Sequence, residues 1–236
     1  MQITLNGRAA LITGGSKGLG LAMGKAFAQA GGNVALVARG AEDLARAEAE
    51  IREAAPTAKV AAIAADIRTA AGCEQAFTGA ARALGPVDIL VNNAGTSQRG
   101  PFLEVSDALW QDDLDLKLFA AVRLCRLALP GMRDRKWGRI INVLNIGAKA
   151  PKAASTPTSV SRAAGMALTK ALANEFAPHN VLVNAMLVGI IESDQWVRRH
   201  AADKRNVTWE EWKAEQGKPV PLGRIEVQPQ GCEGGR

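Results

Sequence analysis

A glycine run near the N-terminus limits what this chain can fold into. Thr13-Gly14-Gly15-Ser16-Lys17-Gly18-Leu19-Gly20 follows a short apolar segment over residues 8–13. It opens a stretch with helical apolar spacing through Leu19, Met23, Phe27 and Ala30, stopped by Gly31-Gly32. The apolar segment fits a buried parallel strand. Gly14 permits a tight turn out of that strand, Gly18 lets backbone approach a phosphate, and Gly20 lets the helix pack closely on the sheet. The helix N-terminus then presents free N–H groups and the positive end of its dipole to an anion.

The same alternation continues. Apolar segments at 33–38, 60–64, 87–91, 139–143 and 181–186 read as strands. Segments 42–54, 70–84, 106–129 and 158–177 read as helices, with Pro130-Gly131 and Pro178 as stops for the last two. Strands alternating with helices predict a parallel sheet with right-handed crossovers: an α/β, doubly wound Rossmann-type sheet flanked by helices. The 236 residues suit one such domain over 1–236.

Composition removes other classes. Hydrophobic residues make up 47% of the chain, enough for a large core and too many for a disordered one. Cys73, Cys125 and Cys232 show neither metal nor redox spacing and read as reduced thiols in a cytoplasmic protein. No apolar run is long enough to span a bilayer. The net charge of +6 is spread rather than clustered, and aromatics are only 4%. A solvated basic surface with a site for an anionic dinucleotide explains this better than a nucleic-acid partner does.

With Asn92-Asn93-Ala94-Gly95 after the fourth strand, the glycine loop makes the chain resemble the short-chain dehydrogenase/reductase superfamily, of the β-ketoacyl-carrier-protein reductase kind. The resemblance runs from about residue 5 to 225. It implies strand order 3-2-1-4-5-6 and a substrate lid over 190–217, where Trp196, Trp209 and Trp212 line a pocket or glue the lid down. It also implies a homodimer through helices 106–129 and 158–177. The family's last helix and seventh strand have no counterpart in the Gly-, Gln- and Pro-rich tail, 226–236.

For the cofactor, the resemblance implies contacts from Thr13, Gly14, Ser16, Lys17, Gly18, Leu19 and Gly20. It adds Asp66 and Ile67 beside the adenine, Asn93, Ala94 and Gly95, and, past strand six, Gly189, Ile191 and Ser193 at the nicotinamide. Strand two ends in Ala38-Arg39, where an NAD site carries an acidic residue. Arg39 and Lys17 therefore favour the 2′-phosphate of NADP(H).

The catalytic half of the resemblance fails. The family uses Asn, Ser, Tyr and Lys; this chain has no tyrosine at all. Motif by motif, Lys117 stands in place of the Asn, Asn145 of the Ser, Thr158 of the Tyr and Arg162 of the Lys. An aliphatic hydroxyl is too weak an acid to replace a phenol of pKa about 10. Arg162 stays protonated but can hold an anion with its fork of donors. Asn145 can still donate to an oxygen. Lys117 either acts as acid or base, or fills space and pairs with a carboxylate such as Asp113. Lys117, Lys149, Lys152 and Arg162 together suggest an anionic small-molecule substrate or effector. Three readings stand: a divergent NADP(H)-dependent oxidoreductase on a carbonyl or hydroxyl compound, a non-catalytic NADP(H)-binding pseudoenzyme that senses the cofactor or partners an active relative, and a non-redox enzyme.

Overall fold

The computed structural model describes residues 3–191, 194–203 and 205–225. They fall into two compact units, Met1–Leu187 and Val188–Arg236. The first is built from β1 (Ala9–Thr13), α1 (Gly18–Gln29), β2 (Asn33–Ala38), α2 (Ala41–Ala54), β3 (Val60–Ala64), α3 (Ala70–Leu84), β4 (Val87–Asn92), α4 (Asp107–Leu114), α5 (Ala120–Asp134), β5 (Gly138–Asn145) and α6 (Thr158–Phe176). Strand β6 (Val181–Val188) closes it. The six strands lie in the order β3-β2-β1-β4-β5-β6, the doubly wound arrangement expected. Pairings β1–β2, β1–β4, β2–β3 and β4–β5 are parallel, with Leu11 opposite Ala35 and Leu90.

Strand composition explains the layering. Every residue of β1 is buried and β2 is buried through Val34–Val37, so these central strands are covered on both faces and read as continuous apolar runs. One face packs Leu124, Ala128 and Met132 of α5 and Cys73, Ala76 and Ala80 of α3 against Leu11, Val37 and Leu90. Gly24 of α1 faces Ile51 and Leu36, where a Cβ would approach Ile51 to 2.9 Å. Inside the sheet, the Asn92 amide donates to Asn142 Oδ1 (2.8 Å), and the Asn142 amide donates to Thr169 Oγ1 (2.9 Å).

The structure corrects the long helix expected over 106–129. A π-helical turn, Asp115–Phe119, divides it, and the helix runs through Pro130 to Asp134. Proline removes one backbone donor, yet the buried stripe Leu124, Ala128, Leu129 and Met132 continues across it. Packing of that stripe outweighs the single lost hydrogen bond. Strand β5 also reaches Asn145, two residues beyond the expected end.

The second unit contains α7 (Asp194–Ala201) and α8 (Trp209–Gly217). Thr208 and Glu211 form a reciprocal capping box at the start of α8. The Trp209 and Trp212 rings stack at 5.6 Å, with His200 edge-on to both, and the Trp212 indole donates to Asp203 Oδ2 (3.1 Å). Of the expected tryptophan trio, the Trp196 side chain lies outside the described residues, as does the tail 226–236. No helix among the described residues is long and apolar enough to cross a membrane.

Candidate cofactor and catalytic site

The glycine loop is shaped by its own neighbours before any ligand is considered. Gly14 and Gly18 adopt φ of +64° and +56°, which L side chains rarely tolerate. A Cβ on Gly20 would lie 2.1 Å from the Gly14 carbonyl oxygen, so α1 can start where it does only with glycine there. Thr13 Oγ1 accepts from the backbone N–H groups of Asn93 and Ala94, each at 3.0 Å. The Asn93 amide donates back to the carbonyls of Thr13 (2.9 Å) and Gly14 (3.2 Å). Thr13 and Asn93 thus clamp the loop to the end of β4. Lys17 precedes helix α1 as its N-cap residue and makes no side-chain cap, so it leaves the first-turn N–H groups without a side-chain acceptor. A loop with positive-φ glycines, close backbone approach and uncapped helix donors fits a dinucleotide pyrophosphate.

The charges around this loop are less simple than the sequence suggests. Arg39 is exposed just past β2. Lys17 Nζ sits 2.8 Å from Asp43 Oδ2 on α2, and Arg46 also pairs with that carboxylate. The pairing with Lys17 holds the Asp43 carboxyl below its ordinary range. Sequence reading missed Asp43, because it lies four residues beyond Arg39 and only the fold brings it to Lys17. Asp66 is engaged as well. Its carboxylate accepts from the Arg68 backbone N–H (3.1 Å) and guanidinium (2.6 Å), which depresses its pKa. Arg68 continues to Asp112 (2.7 Å), and Asp112 accepts from Gln98 (3.0 Å). Ile67 is buried.

Three of the four candidate catalytic residues, Lys117, Thr158 and Arg162, come together with Asp113. A two-residue antiparallel ladder, Arg99–Gly100 with Thr156–Pro157, holds the segment after β4 against the start of α6. Thr158 Oγ1 therefore donates to the Gln98 carbonyl (2.6 Å) and accepts from Lys117 Nζ (2.7 Å). The π turn carries Lys117, whose side chain is fully buried in an ion pair with Asp113 on the preceding turn. The other oxygen of Asp113 accepts from Ser161 Oγ (2.6 Å). Burial pushes Lys117 down to about 8; the contact with Asp113 opposes that shift and Arg162 adds to it. Arg162 packs against Gly95, where a Cβ would meet Nη2 at 2.3 Å. Burial lowers its pKa to about 10, partly offset by Asp113.

Asn145 stands at the end of β5 with its Oδ1 buried and without a hydrogen-bond partner. Lys149 and Lys152 are exposed, unlike Lys117 and Arg162. Of the remaining candidates, Gly189 and Ile191 belong to the second unit, and Ser193 lies outside the described residues. Asp113 is the hub; the sequence offered it only as a carboxylate that Lys117 could pair with, and that pair forms. The i, i+4 spacing on one helix was its signal.

Known proteins carry the same architecture. The short chain dehydrogenase family profile matches residues 8–204. The 3-oxoacyl-(acyl-carrier-protein) reductase FabG of Aquifex aeolicus is 32% identical over 227 residues, 95% of this chain and 87% of that protein. The crystal structure of L-sorbose reductase from Gluconobacter frateurii, complexed with NADPH and L-sorbose, gives a TM-score of 0.92 at 32% identity. It covers 97% of this chain and 88% of that one. An NADPH-bound short chain oxidoreductase from Pseudomonas aeruginosa PAO1, described as containing an atypical catalytic center, gives 0.87 at 36% identity, covering 96% and 87%.

Proposed function

Because this chain belongs to the short-chain dehydrogenase family, we propose that it is an NADP(H)-dependent oxidoreductase acting on a small carbonyl or hydroxyl compound without a tyrosine. The observation that carries this reading is the fully formed glycine loop, clamped by Thr13 and Asn93, with Arg39 and Lys17 beside it and no carboxylate at the end of β2. The NADPH in the related L-sorbose reductase and Pseudomonas oxidoreductase structures supports NADP(H) here. When bound, that cofactor supplies the hydride.

The chain's own residues have narrower tasks. Arg39 and Lys17 hold the 2′-phosphate, Lys17 after release from Asp43. Asn145 orients the substrate oxygen through its amide. Lys117, with a pKa of about 8, is close to the poise that favours proton transfer near neutral pH. Thr158 Oγ1 is in direct contact with Lys117 Nζ at 2.7 Å, so its hydroxyl can pass a proton without being a strong acid itself. Titration with NADPH and NADH, followed by nicotinamide fluorescence, tests the cofactor; NADPH oxidation over a carbonyl panel tests the chemistry. Equal affinity for the two dinucleotides, or none for either, would overturn the reading.

A second reading is favoured by burial. The Lys117 side chain is fully enclosed and Thr158 is 3% exposed, as suits a pseudoenzyme that binds NADP(H) and senses it. It predicts tight binding and no turnover on any carbonyl. We also propose a homodimer through the two long helices. Phe119 and Val160 are exposed there, and Val122, Leu129, Leu168 and Phe176 line a groove between α5 and α6. Sedimentation at micromolar concentration tests it.

A further inference from the structure

Among the described residues, only three ionisable side chains with formal charge are buried: Asp113, Lys117 and Arg162. Two are cations and one is an anion. Lys117 takes Asp113 in a direct ion pair, and Ser161 takes the other carboxylate oxygen. Arg162 is left without an ion pair or hydrogen bond among the described residues, and its Nε is buried with no acceptor. The residue is nine-tenths buried yet keeps 9% of its surface reachable. Other partly buried arginines are not like this. Arg68 holds Asp66 and Asp112, Arg123 holds Asp115, and Arg139 holds two backbone carbonyls.

A buried guanidinium without an acceptor is costly, because its charge has left water and gained no counter-charge. Five N–H donors in a planar fork match the oxygens of a carboxylate or phosphate. The other orphaned buried side-chain atoms, Asn92 Oδ1, Gln98 Oε1 and Asn145 Oδ1, are neutral amide acceptors; none is hydrogen-bonded to Arg162 and none carries the negative charge that would balance it.

We propose that Arg162 is the receptor for an oxyanion carried by the substrate, so that the compound turned over is an anionic carbonyl or hydroxy compound rather than a neutral one. This rests on the oxidoreductase reading above and names its substrate class. Asp113 sets the arrangement by neutralising Lys117 and leaving Arg162 as the single excess positive charge. Burial lowers the pKa of Arg162 to about 10, which keeps it protonated at neutral pH, and an anion paired with it would raise that pKa again.

The test uses the full chain with NADPH bound. Thermal unfolding is followed at constant ionic strength with acetate, oxalate, malonate, inorganic phosphate or chloride added, for wild type, Arg162→Gln and Arg162→Lys. In parallel, NADPH affinity is measured by fluorescence, and NADPH oxidation is compared for carbonyl acids and their methyl esters. The inference expects stabilisation by a carboxylate or by phosphate beyond that by chloride, weakened about tenfold or more in affinity in Arg162→Gln and partly retained in Arg162→Lys. It expects unliganded Arg162→Gln to melt no lower than wild type, because an unpaired buried charge is gone, and acids to be preferred over esters. Carboxylate-specific and phosphate-specific stabilisation tell the two oxyanions apart. Equal anion response in wild type and Arg162→Gln would overturn the inference, as would a preference for esters. Loss of NADPH affinity in Arg162→Gln with no anion response in wild type would also overturn it, by assigning Arg162 to the cofactor. Failure of wild type to bind NADPH would instead sink the oxidoreductase reading itself.

Discussion

The glycine loop and the Asp113 cluster satisfy their polar groups in different ways. At the loop, Thr13 and Asn93 close on backbone N–H and carbonyl groups, and glycines supply the dihedral freedom and close contacts. That arrangement depends on shape and is insensitive to charge. At the cluster, the charged partners are all side chains, and the arrangement depends on who carries a proton. Asp113 is balanced by Lys117 while Arg162 is not. The loop resists substitution because backbone cannot move; the cluster resists it at Lys117 and Asp113, where removing one partner orphans the other's buried charge.

The contrast breaks most readily at Lys117. Lys117→Met leaves the Asp113 carboxylate buried with hydrogen bonds only from Ser161 and Thr158 and no direct ion pair, and we expect a loss of about 4 kcal/mol in urea unfolding. A loss under about 1 kcal/mol would mean that Arg162 or water takes over as counter-ion. Gly20→Ala attacks the loop by shape alone. Its new methyl group would sit on the Gly14 carbonyl oxygen, so a cost of about 3 kcal/mol is expected, together with loss of NADPH binding. Retained NADPH affinity would show that the loop can open without harm.

Titration separates the two regions further. Lys117 has a folded pKa of about 8 against an ordinary 10.5. Between those values the unfolded chain still binds a proton that the folded chain has released, so stability rises with pH across that window. The rise is up to about 3 kcal/mol for a buried group. Wild type should therefore gain on Lys117→Met between pH 8 and 10.5, whereas Gly20→Ala should track wild type. Denaturant midpoints at pH 7, 9 and 10.5 check this, and a constant gap between wild type and Lys117→Met would disprove it.

Two smaller effects concern the cofactor charges. Arg39→Asp should weaken NADPH about tenfold or more, by replacing an attractive charge with a repulsive one, and leave NADH nearly unchanged. Asp43→Ala frees Lys17 from a half-exposed ion pair. Such pairs contribute less than about 1 kcal/mol, so NADPH should tighten by only about two- to fivefold. A weaker NADPH complex in Asp43→Ala would mean that Asp43 positions Lys17 rather than competing for it.

The sheet was readable from the chain because its information is local. Each strand is a short apolar run ended by glycine, proline or a polar residue, and each helix has its spacing. Strand order 3-2-1-4-5-6 came from the family resemblance and is the order observed. The helix around Pro130 misled, because a proline stop signal is local and the apolar stripe that overrides it is tertiary. At the site, aligned motifs pointed to Lys117, Asn145, Thr158 and Arg162, but of their partners only Asp113, four residues before Lys117, was visible. Gln98 meets Thr158 across 60 residues and Asp113 meets Ser161 across 48, contacts that no periodicity encodes. Gly72 was also missed: a Cβ there would lie 2.0 Å from the Asp66 carbonyl, a crowding set by the turn into α3.

The amide rung from Asn92 through Asn142 to Thr169 also bears on how the sheet assembles. Asn92 and Asn142 are opposite each other in the β4–β5 ladder. Slipping that pairing by one residue would turn Asn142 to the other face and leave Asn92 facing Ile141 or Val143, with an amide stranded in hydrocarbon. Apolar strands such as β4 and β5 otherwise carry little to tell one alignment from the next. A polar key inside the layers gives the parallel sheet a proofreading step: misaligned intermediates are penalised at the centre, where valines and isoleucines alone would have accepted them.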